Sequence, residues 1–163
     1  MRRDDRVISI EEAKSLLESA EYGVLSMACQ DGFPHGIPLN FALDGDSIYF
    51  HCALEGKKTE ILCANPRVSF CVVGRTEVLP EKFGTKYESA IATGSVEELS
   101  AREKRQGLLL LVRKYSPDYV KEGLEYIDKL IDKTRVFRMR LESITGKARN
   151  FLPVGFSISL SQT

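Results

Sequence analysis

The chain has 163 residues, 43% of them apolar and 28% charged, which is typical of one globular domain with a sizeable core. Its 23 basic and 23 acidic residues cancel, so it lacks the positive field that nucleic-acid-binding proteins use. The N-terminal segment MRRDDRVIS has no apolar signal core, and the longest apolar run, residues 108–112, is too short to span a bilayer. We therefore expect a single cytoplasmic domain, residues 1–163, with no nucleic-acid or membrane partner.

A helix and an antiparallel meander are predicted at the start of the chain. Ser9 and Glu12 have the spacing of a capping box, which predicts a helix from residue 10. Beyond it, alternating apolar residues and the turn signals Asp31-Gly32 and 44–46 indicate strands. The predicted strands cover residues 22–28, 33–42 and 47–53.

The rest of the chain mixes helices and strands without regular alternation. Segment 55–66 is predicted to be a helix that ends at Pro66, and Ser100 with Glu103 predicts a second capping box. The remaining predictions are strands 67–79, 87–99 and 134–148, a loop over 80–86, and helices 100–115 and 117–131. This order disfavours a doubly wound parallel sheet. Roughly six mostly antiparallel strands with helices outside predict a small β-barrel.

The cysteines give no sign of a metal site. Cys29, Cys52, Cys63 and Cys71 have no C-x-x-C spacing. Cys52 and Cys71 fall in strand-like runs, where cysteine usually packs as a small apolar residue. We therefore predict no metal ligands and reduced thiols.

The segment Gly56-Lys57-Lys58 opens the second predicted helix. A glycine there exposes backbone N–H groups, and the helix dipole favours an anion at this end. Lysines in a first turn oppose the usual preference for acidic residues, and a bound phosphate would explain them. The alternative is that both lysines are ordinary solvated charges, with Glu55 compensating part of the penalty.

His51 lies near the end of the third predicted strand. Alternation places Tyr49, His51 and Ala53 on one face and an apolar set on the other. A neutral imidazole on the polar face could donate a hydrogen bond or carry a proton. The alternative is a strand-end histidine with only a backbone partner, and His35 is interpreted as a loop histidine.

Two further segments contain candidate binding residues. Pro38 removes one ladder hydrogen bond, so a flat aromatic ligand could lie against its strand, and Asn40 can both donate and accept. The alternative is an edge strand with a bulge. Near the C-terminus, Lys147 and Arg149 could bind an anion across a subunit interface, or could be solvated.

Several of these segments together resemble the FMN-binding split-barrel superfamily, whose members are similar to pyridoxamine 5'-phosphate oxidase. The resemblance is carried by YGVLSMACQDGFPHGIPLNFAL, IYFHCALEGKKTEILCANPRVSFCV and YESAIATGSVEEL. Its most specific parts are YFHCALEGKK and the following NPRVSF. Within the superfamily, the chain resembles the branch of 5-nitroimidazole antibiotic resistance proteins.

The resemblance implies a mainly β fold, a six-stranded antiparallel split barrel of Greek-key type with flanking helices. It also implies a homodimer that binds FMN at its interface. Gly56, Lys57 and Lys58 would then hold the phosphate, and Lys147 and Arg149 would remain candidate cofactor ligands. The face of Tyr49, His51 and Ala53 would line the flavin pocket. The flavin ring would lie beside Ile37, Pro38, Leu39, Asn40 and Phe41.

The implied activity is that of an FMN-dependent oxidoreductase acting on a small molecule, with reduction of a nitroimidazole as the specific candidate and His51 as the catalytic residue. The oxidases have Ser-Arg-Lys where this chain has Gly-Lys-Lys, and this chain has no tryptophan, which argues against pyridoxamine phosphate as substrate. The alternatives are a non-catalytic flavin- or haem-binding module, a deazaflavin protein, and a homodimer without a cofactor.

Overall fold

The computed structural model describes residues 3–149. Its helices are α1 (Ile10–Ser19), α2 (Lys57–Ala64), α3 (Ala101–Tyr115) and α4 (Val120–Leu130). Its strands are β1 (Val7–Ile8), β2 (Gly23–Ala28), β3 (Pro34–Leu39), β4 (Ala42–Asp44), β5 (Ser47–Cys52), β6 (Arg67–Leu79), β7 (Gly84–Glu98) and β8 (Arg135–Arg149). Within this range, no helix has both the length and the apolar composition that crossing a membrane requires.

All eight strands belong to one antiparallel sheet, which confirms the predicted mainly β fold. The strand order is β3-β2-β6-β7-β8-β5-β4, and β1 pairs with β8 beside this path. Laid flat, the outer strands β3 and β4 would be about 29 Å apart at the usual strand spacing. Only Asn40 and Phe41 connect them, so the sheet must curl into a barrel with its seam at these residues.

The strand count differs from the expected six because of two short strands. The predicted strand 33–42 is interrupted at Asn40 and Phe41, which separates β3 from β4. The pair Val7–Ile8 is too short for a readable pattern and becomes a strand only by pairing with Lys147 and Gly146. The predicted loop over residues 80–86 is also shorter than expected, because β7 already begins at Gly84.

The barrel interior is filled by alternating strand residues and closed by α1. Phe41, Phe50 and Phe70 are fully buried, and the rings of Phe41 and Phe70 meet edge to face at 4.7 Å between centroids. A second apolar cluster lies between the outside of the barrel and the helix pair α3 and α4. It contains Ala42, Leu99, Leu108, Leu111, Ile127 and Val136.

One of the two predicted capping boxes is confirmed. At α1, the Glu12 N–H donates to Ser9 Oγ at 3.1 Å, and the Ser9 N–H donates to Glu12 Oε2 at 2.7 Å. At α3 the prediction was wrong, because Ser100 makes no side-chain cap. The Glu103 carboxylate instead pairs with Arg138 at 3.4 Å, a partner that lies far away in the sequence.

Candidate functional site

The connection from β5 to α2 has a backbone shape that only glycine tolerates well. Gly56 has φ 138°, and an added Cβ would meet no atom within 4 Å. As the N-cap residue it provides no side chain to bond the first turn of α2. The N–H groups of that turn have no intrahelical acceptor, so the segment offers backbone donors to an external anion.

Two lysines add positive charge at the same helix end. Lys57 is exposed, whereas Lys58 is half-buried with its ammonium 5.9 Å from the centroid of the Phe50 ring. Thr59 is buried, and its hydroxyl donates to the Gly56 carbonyl at 2.6 Å, which fixes the start of the helix. Backbone donors next to two ammonium groups form a donor set that fits a phosphate.

The alternation predicted for β5 is confirmed. Ile48 and Phe50 are fully buried, whereas His51 lies on the opposite, exposed face. Neighbouring protein displaces part of the water around the imidazole and lowers its pKa, and the charge of Lys58 lowers the pKa further. At neutral pH His51 is therefore uncharged, with one ring nitrogen able to donate and the other to accept.

A groove of about 710 Å³ lies beside His51, between the ends of β3 and β5 and the helix pair α3 and α4. It brings together three residues predicted from the sequence: Leu39, Asn40 and His51. Its other wall comes from the helices and was not predicted. That wall consists of Leu111, Val112, Tyr115, Ser116, Tyr119, Glu122, Gly123 and Tyr126.

The five residues predicted to lie beside the flavin ring, 37–41, have three different environments in the structure. Leu39 and Asn40 line the groove, Ile37 packs against the barrel core, and exposed Pro38 lies on the edge strand β3, as its missing donor indicated. Phe41 has no exposed surface. Its N–H donates to the hydroxyl of Tyr115 at 2.9 Å, so Phe41 supports the groove from below.

Tyr49 and Ala53 share a strand face with His51 but not its groove. Tyr49 lies under α3, where an added Cβ on Gly107 would come within 3.2 Å of its ring. It lines a separate depression together with Arg138. Ala53 is exposed in the connection that leads to Gly56. Helix α3 therefore divides the face that strand alternation predicts to be continuous.

Lys147 and Arg149 lie at the opposite end of β8 from His51. His51 pairs with Val136, and Lys147 follows eleven positions later, about 36 Å along an extended strand. Arg149 packs over Gly84, where an added Cβ would come within 3.2 Å of its guanidinium. Within one chain, the structure does not bring these two cations to the start of α2.

Arg135 holds the end of α2 in place and was not singled out in the sequence. Its guanidinium makes two bonds to Glu98, of 2.9 and 2.5 Å, and donates to Cys63 Sγ at 3.2 Å. It also reaches the carbonyl of Leu54 at 3.5 Å. These partners lie in three separate segments, so no local pattern could have indicated the contact. No cluster of three or more His, Cys, Asp or Glu side chains suited to a metal ion occurs within residues 3–149.

Several solved structures have a similar fold. A candidate 5-nitroimidazole antibiotic resistance protein from Bacteroides thetaiotaomicron is 25% identical, with a TM-score of 0.71 over 86% of this chain and 85% of that chain. An FAD-binding protein from Mesorhizobium loti is 27% identical, with a TM-score of 0.61 over 88% and 97%. An FAD- and haem-binding protein from Mycobacterium smegmatis, 19% identical, has a TM-score of 0.74 over 91% and 75% and shares the fold.

The sequence itself matches a family model. None of the curated proteins matches the chain. The model for pyridoxamine 5'-phosphate oxidase matches residues 9–148, from the N-cap of α1 almost to the end of β8. The match therefore includes the β5–α2 connection, the groove and every long strand of the barrel. The resemblance seen in the sequence is confirmed, and the chain belongs to the pyridoxamine 5'-phosphate oxidase family.

Proposed function

We propose that the protein is an FMN-dependent oxidoreductase that holds the cofactor phosphate at the start of α2. The observation that carries this proposal is the β5–α2 connection, where Gly56, Lys57 and Lys58 present backbone N–H groups and two ammonium groups. The charge of Lys58 is close enough to His51 to lower the pKa of the imidazole. Family membership supports a flavin, and so does the likeness to an FAD-binding protein at 27% identity.

The residues of the groove have distinct parts in this proposal. When bound, the flavin supplies the electron transfer to a small-molecule acceptor. Asn40 offers an amide that can both donate and accept at the seam of the barrel. Neutral His51 can donate a hydrogen bond to the acceptor from one ring nitrogen, and it can relay a proton when the other ring nitrogen takes one up from water as the first releases its own. We propose a nitro group as the acceptor, because of the likeness to the Bacteroides protein.

Cofactor titration tests the phosphate site. We expect Lys58→Ala to weaken FMN binding about tenfold or more, since a charge-assisted hydrogen bond contributes roughly 1.5–3 kcal/mol. Lys57→Ala should act in the same direction, and Lys129→Ala, at an exposed position of α4, is the control. Riboflavin, which lacks the phosphate, should bind the wild type and Lys58→Ala equally. Unchanged FMN affinity in Lys58→Ala would rule out the phosphate assignment.

Spectra and reactivity separate an enzyme from a binding module. The purified protein should show flavin absorbance, and a Soret band would indicate haem instead. After anaerobic reduction, a nitroimidazole should reoxidise the flavin faster than it reoxidises free FMN. A flavin-loaded protein that reacts with no acceptor faster than free FMN would identify a non-catalytic binding module.

The outer face of the sheet supports a homodimer. On this face, residues that pair directly across neighbouring strands form a row of five, one from each of β3, β2, β6, β7 and β8. A second row of five runs beside the first, and none of these ten residues is charged. Val24 and Ile91 in the first row are 38% and 45% exposed. The first row is Pro38, Val24, Cys71, Ile91 and Thr145, and the second is Gly36, Ser26, Ser69, Thr93 and Ser143.

We propose that a second copy covers this uncharged face, and C2 pairing is the commonest arrangement. Such pairing offers a way for Lys147, remote from its own His51, to approach the partner's cofactor. Sedimentation equilibrium should give the mass of two chains for the wild type. Ile91→Glu should shift the mass toward one chain, with exposed Val78→Glu on the β6–β7 hairpin as the control. A monomeric wild type would exclude the dimer.

A further inference from the structure

Helix α4 presents an aromatic and acidic face to the groove. Tyr119 just precedes α4, and Glu122, Gly123 and Tyr126 follow it at three, four and seven positions, so the four lie on one side of a helix. Tyr119 and Tyr126 are 65% and 66% exposed, a high value for large rings. Large exposed aromatic side chains beside a groove are typical of a ligand-binding surface.

This face is held rigidly against α3. An added Cβ on Gly123 would lie 2.5 Å from a methyl carbon of Val112, so the two helices are in close contact at that point. Arg105 of α3 makes two bonds to Asp128 of α4, at 2.9 and 3.2 Å, and Ile127 is buried between the helices. The tyrosines are therefore carried by a fixed element rather than by a loop.

Within residues 3–149, the groove is lined by one charged side chain, and that charge is negative. Among the described residues, Glu122 is the only charged side chain that lines it, since His51 is neutral at pH 7. Lys58 lies beyond His51 and does not line the groove. The Tyr115 hydroxyl bonds to the backbone of Phe41 and Glu21, so its ring forms part of the groove wall. The Lys114 ammonium already lies 5.5 Å from the centroid of that ring, which makes Tyr115 a contact for a ligand ring and not for a ligand cation.

We infer that the α4 side of the groove recognises a flat aromatic substrate that carries a positively charged amine and no phosphate. The ring would lie among Tyr115, Tyr119 and Tyr126. The ammonium would face Glu122 and the rings of Tyr119 and Tyr126, since aromatic faces attract cations. An anionic group at this position would be repelled by Glu122, and a neutral one would gain only ring contacts. The inference extends the proposed function by naming the substrate class at the same site.

Three nitroaromatic probes that differ in charge test the inference. They are 4-nitrobenzyltrimethylammonium, 4-nitrobenzyl alcohol and 4-nitrobenzoate, each titrated calorimetrically into the purified protein. We expect the cation to bind about fivefold more tightly than the alcohol, and the anion to bind most weakly. Tyr126→Leu should weaken binding of the cation and the alcohol about threefold, because both lose a ring contact.

A matched pair of variants assigns the preference to one carboxylate. Glu122→Gln should reduce the preference for the cation to below about twofold. Glu125→Gln, an exposed position on the same helix that does not line the groove, should leave it unchanged. Equal binding of cation and alcohol by the wild type, or an unchanged preference in Glu122→Gln, would overturn the inference.

Flavin absorbance, measured on the same samples, keeps this inference separate from the proposed function. A cation preference in a protein that binds no FMN would support the groove inference while contradicting the proposed function. FMN binding without a cation preference would overturn the groove inference alone.

Discussion

The hydroxyl of Tyr115 accepts a hydrogen bond from the backbone N–H of Phe41 at 2.9 Å, across 74 positions of sequence. The same hydroxyl has one hydrogen, which it can donate either to the carbonyl of Glu21 at 2.6 Å or to the carbonyl of Phe41 at 2.9 Å. Helix α3 is thereby tied to the seam between β3 and β4. One phenol therefore joins the barrel closure to the wall of the groove.

Removing this phenol should destabilise the protein. Tyr115→Phe keeps the ring but leaves the buried Phe41 N–H without its acceptor, at a cost of about 1–3 kcal/mol. Urea unfolding followed by circular dichroism would measure the change. Tyr22→Phe, at an exposed tyrosine, is the control and should stay within about 0.5 kcal/mol of the wild type. Equal stability of the two variants would show that the Tyr115 bonds contribute little.

His51 should titrate below the ordinary histidine value of about 6.5. The main cause of the lowered pKa is burial of the imidazole, and the second is the charge of Lys58. Lys58→Ala should therefore raise the His51 pKa partly back toward the ordinary value. In proton NMR, His35→Gln leaves one imidazole to follow, since the chain has two histidines. A midpoint above 6.5 in His35→Gln would contradict the lowered pKa of His51.

The same shift has a defined sign for stability. Between the ordinary pKa and the lowered pKa of the folded state, the unfolded chain binds more protons at His51. The free energy of unfolding should therefore fall as the pH decreases through that window. His51→Gln removes this contribution, so its stability should depend less on pH over the same range. Denaturant melts of both proteins at several pH values would measure the difference.

The contact of Gly123 with Val112 should reverse the usual effect of an alanine in a helix. Alanine is favoured over glycine by about 1 kcal/mol in helices, but here its methyl group would overlap Val112, which costs about 1–3 kcal/mol. Gly123→Ala should therefore destabilise the wild type. In a Val112→Ala background, where the overlap is relieved, it should stabilise. Thermal unfolding of the four proteins forms the cycle, and the same sign in both backgrounds would contradict close helix contact.

The four cysteines should differ in reactivity toward a thiol reagent. Cys63 is exposed, whereas Cys52 and Cys71 are half-buried and burial raises their pKa. Less thiolate at neutral pH makes Cys52 and Cys71 slower. We expect one fast modification in the native protein that disappears in Cys63→Ser. A fast phase that persists in Cys63→Ser would show that Cys52, Cys71 or Cys29 is more accessible than the structure indicates.

Strand alternation and turn residues were sufficient to predict most of the barrel. The meander from residue 22 to 53, the outward direction of His51 and the capping box at Ser9 all depend on neighbours within a few positions. The features that were predicted wrongly or missed depend on contacts between residues far apart in the sequence. Ser100 was predicted to form a capping box with Glu103, and the distant Arg138 takes that carboxylate instead. β1 exists only through its pairing with β8.

The candidate site was predictable on its strand side and not on its helix side. Leu39, Asn40 and His51 were selected from strand position and from the family resemblance, and they do meet in one groove. The spacing of Tyr119, Glu122 and Tyr126 is visible in the sequence. That this face points toward the strand ends depends on the packing of α4 on α3, for which Gly123 gives no local signal. The roles of all these residues in cofactor binding stay predictions.

The two-residue seam at Asn40 and Phe41 makes the barrel sensitive to what occupies its groove. Any opening that moves this seam away from α3 must break the bond from the Phe41 amide to Tyr115. A ligand held between Asn40 and the helices binds only the closed form, so its presence suppresses that opening. Hydrogen exchange at the single amide of Phe41 should therefore slow in proportion to occupancy, which provides a spectroscopic gauge of binding for any compound, coloured or not.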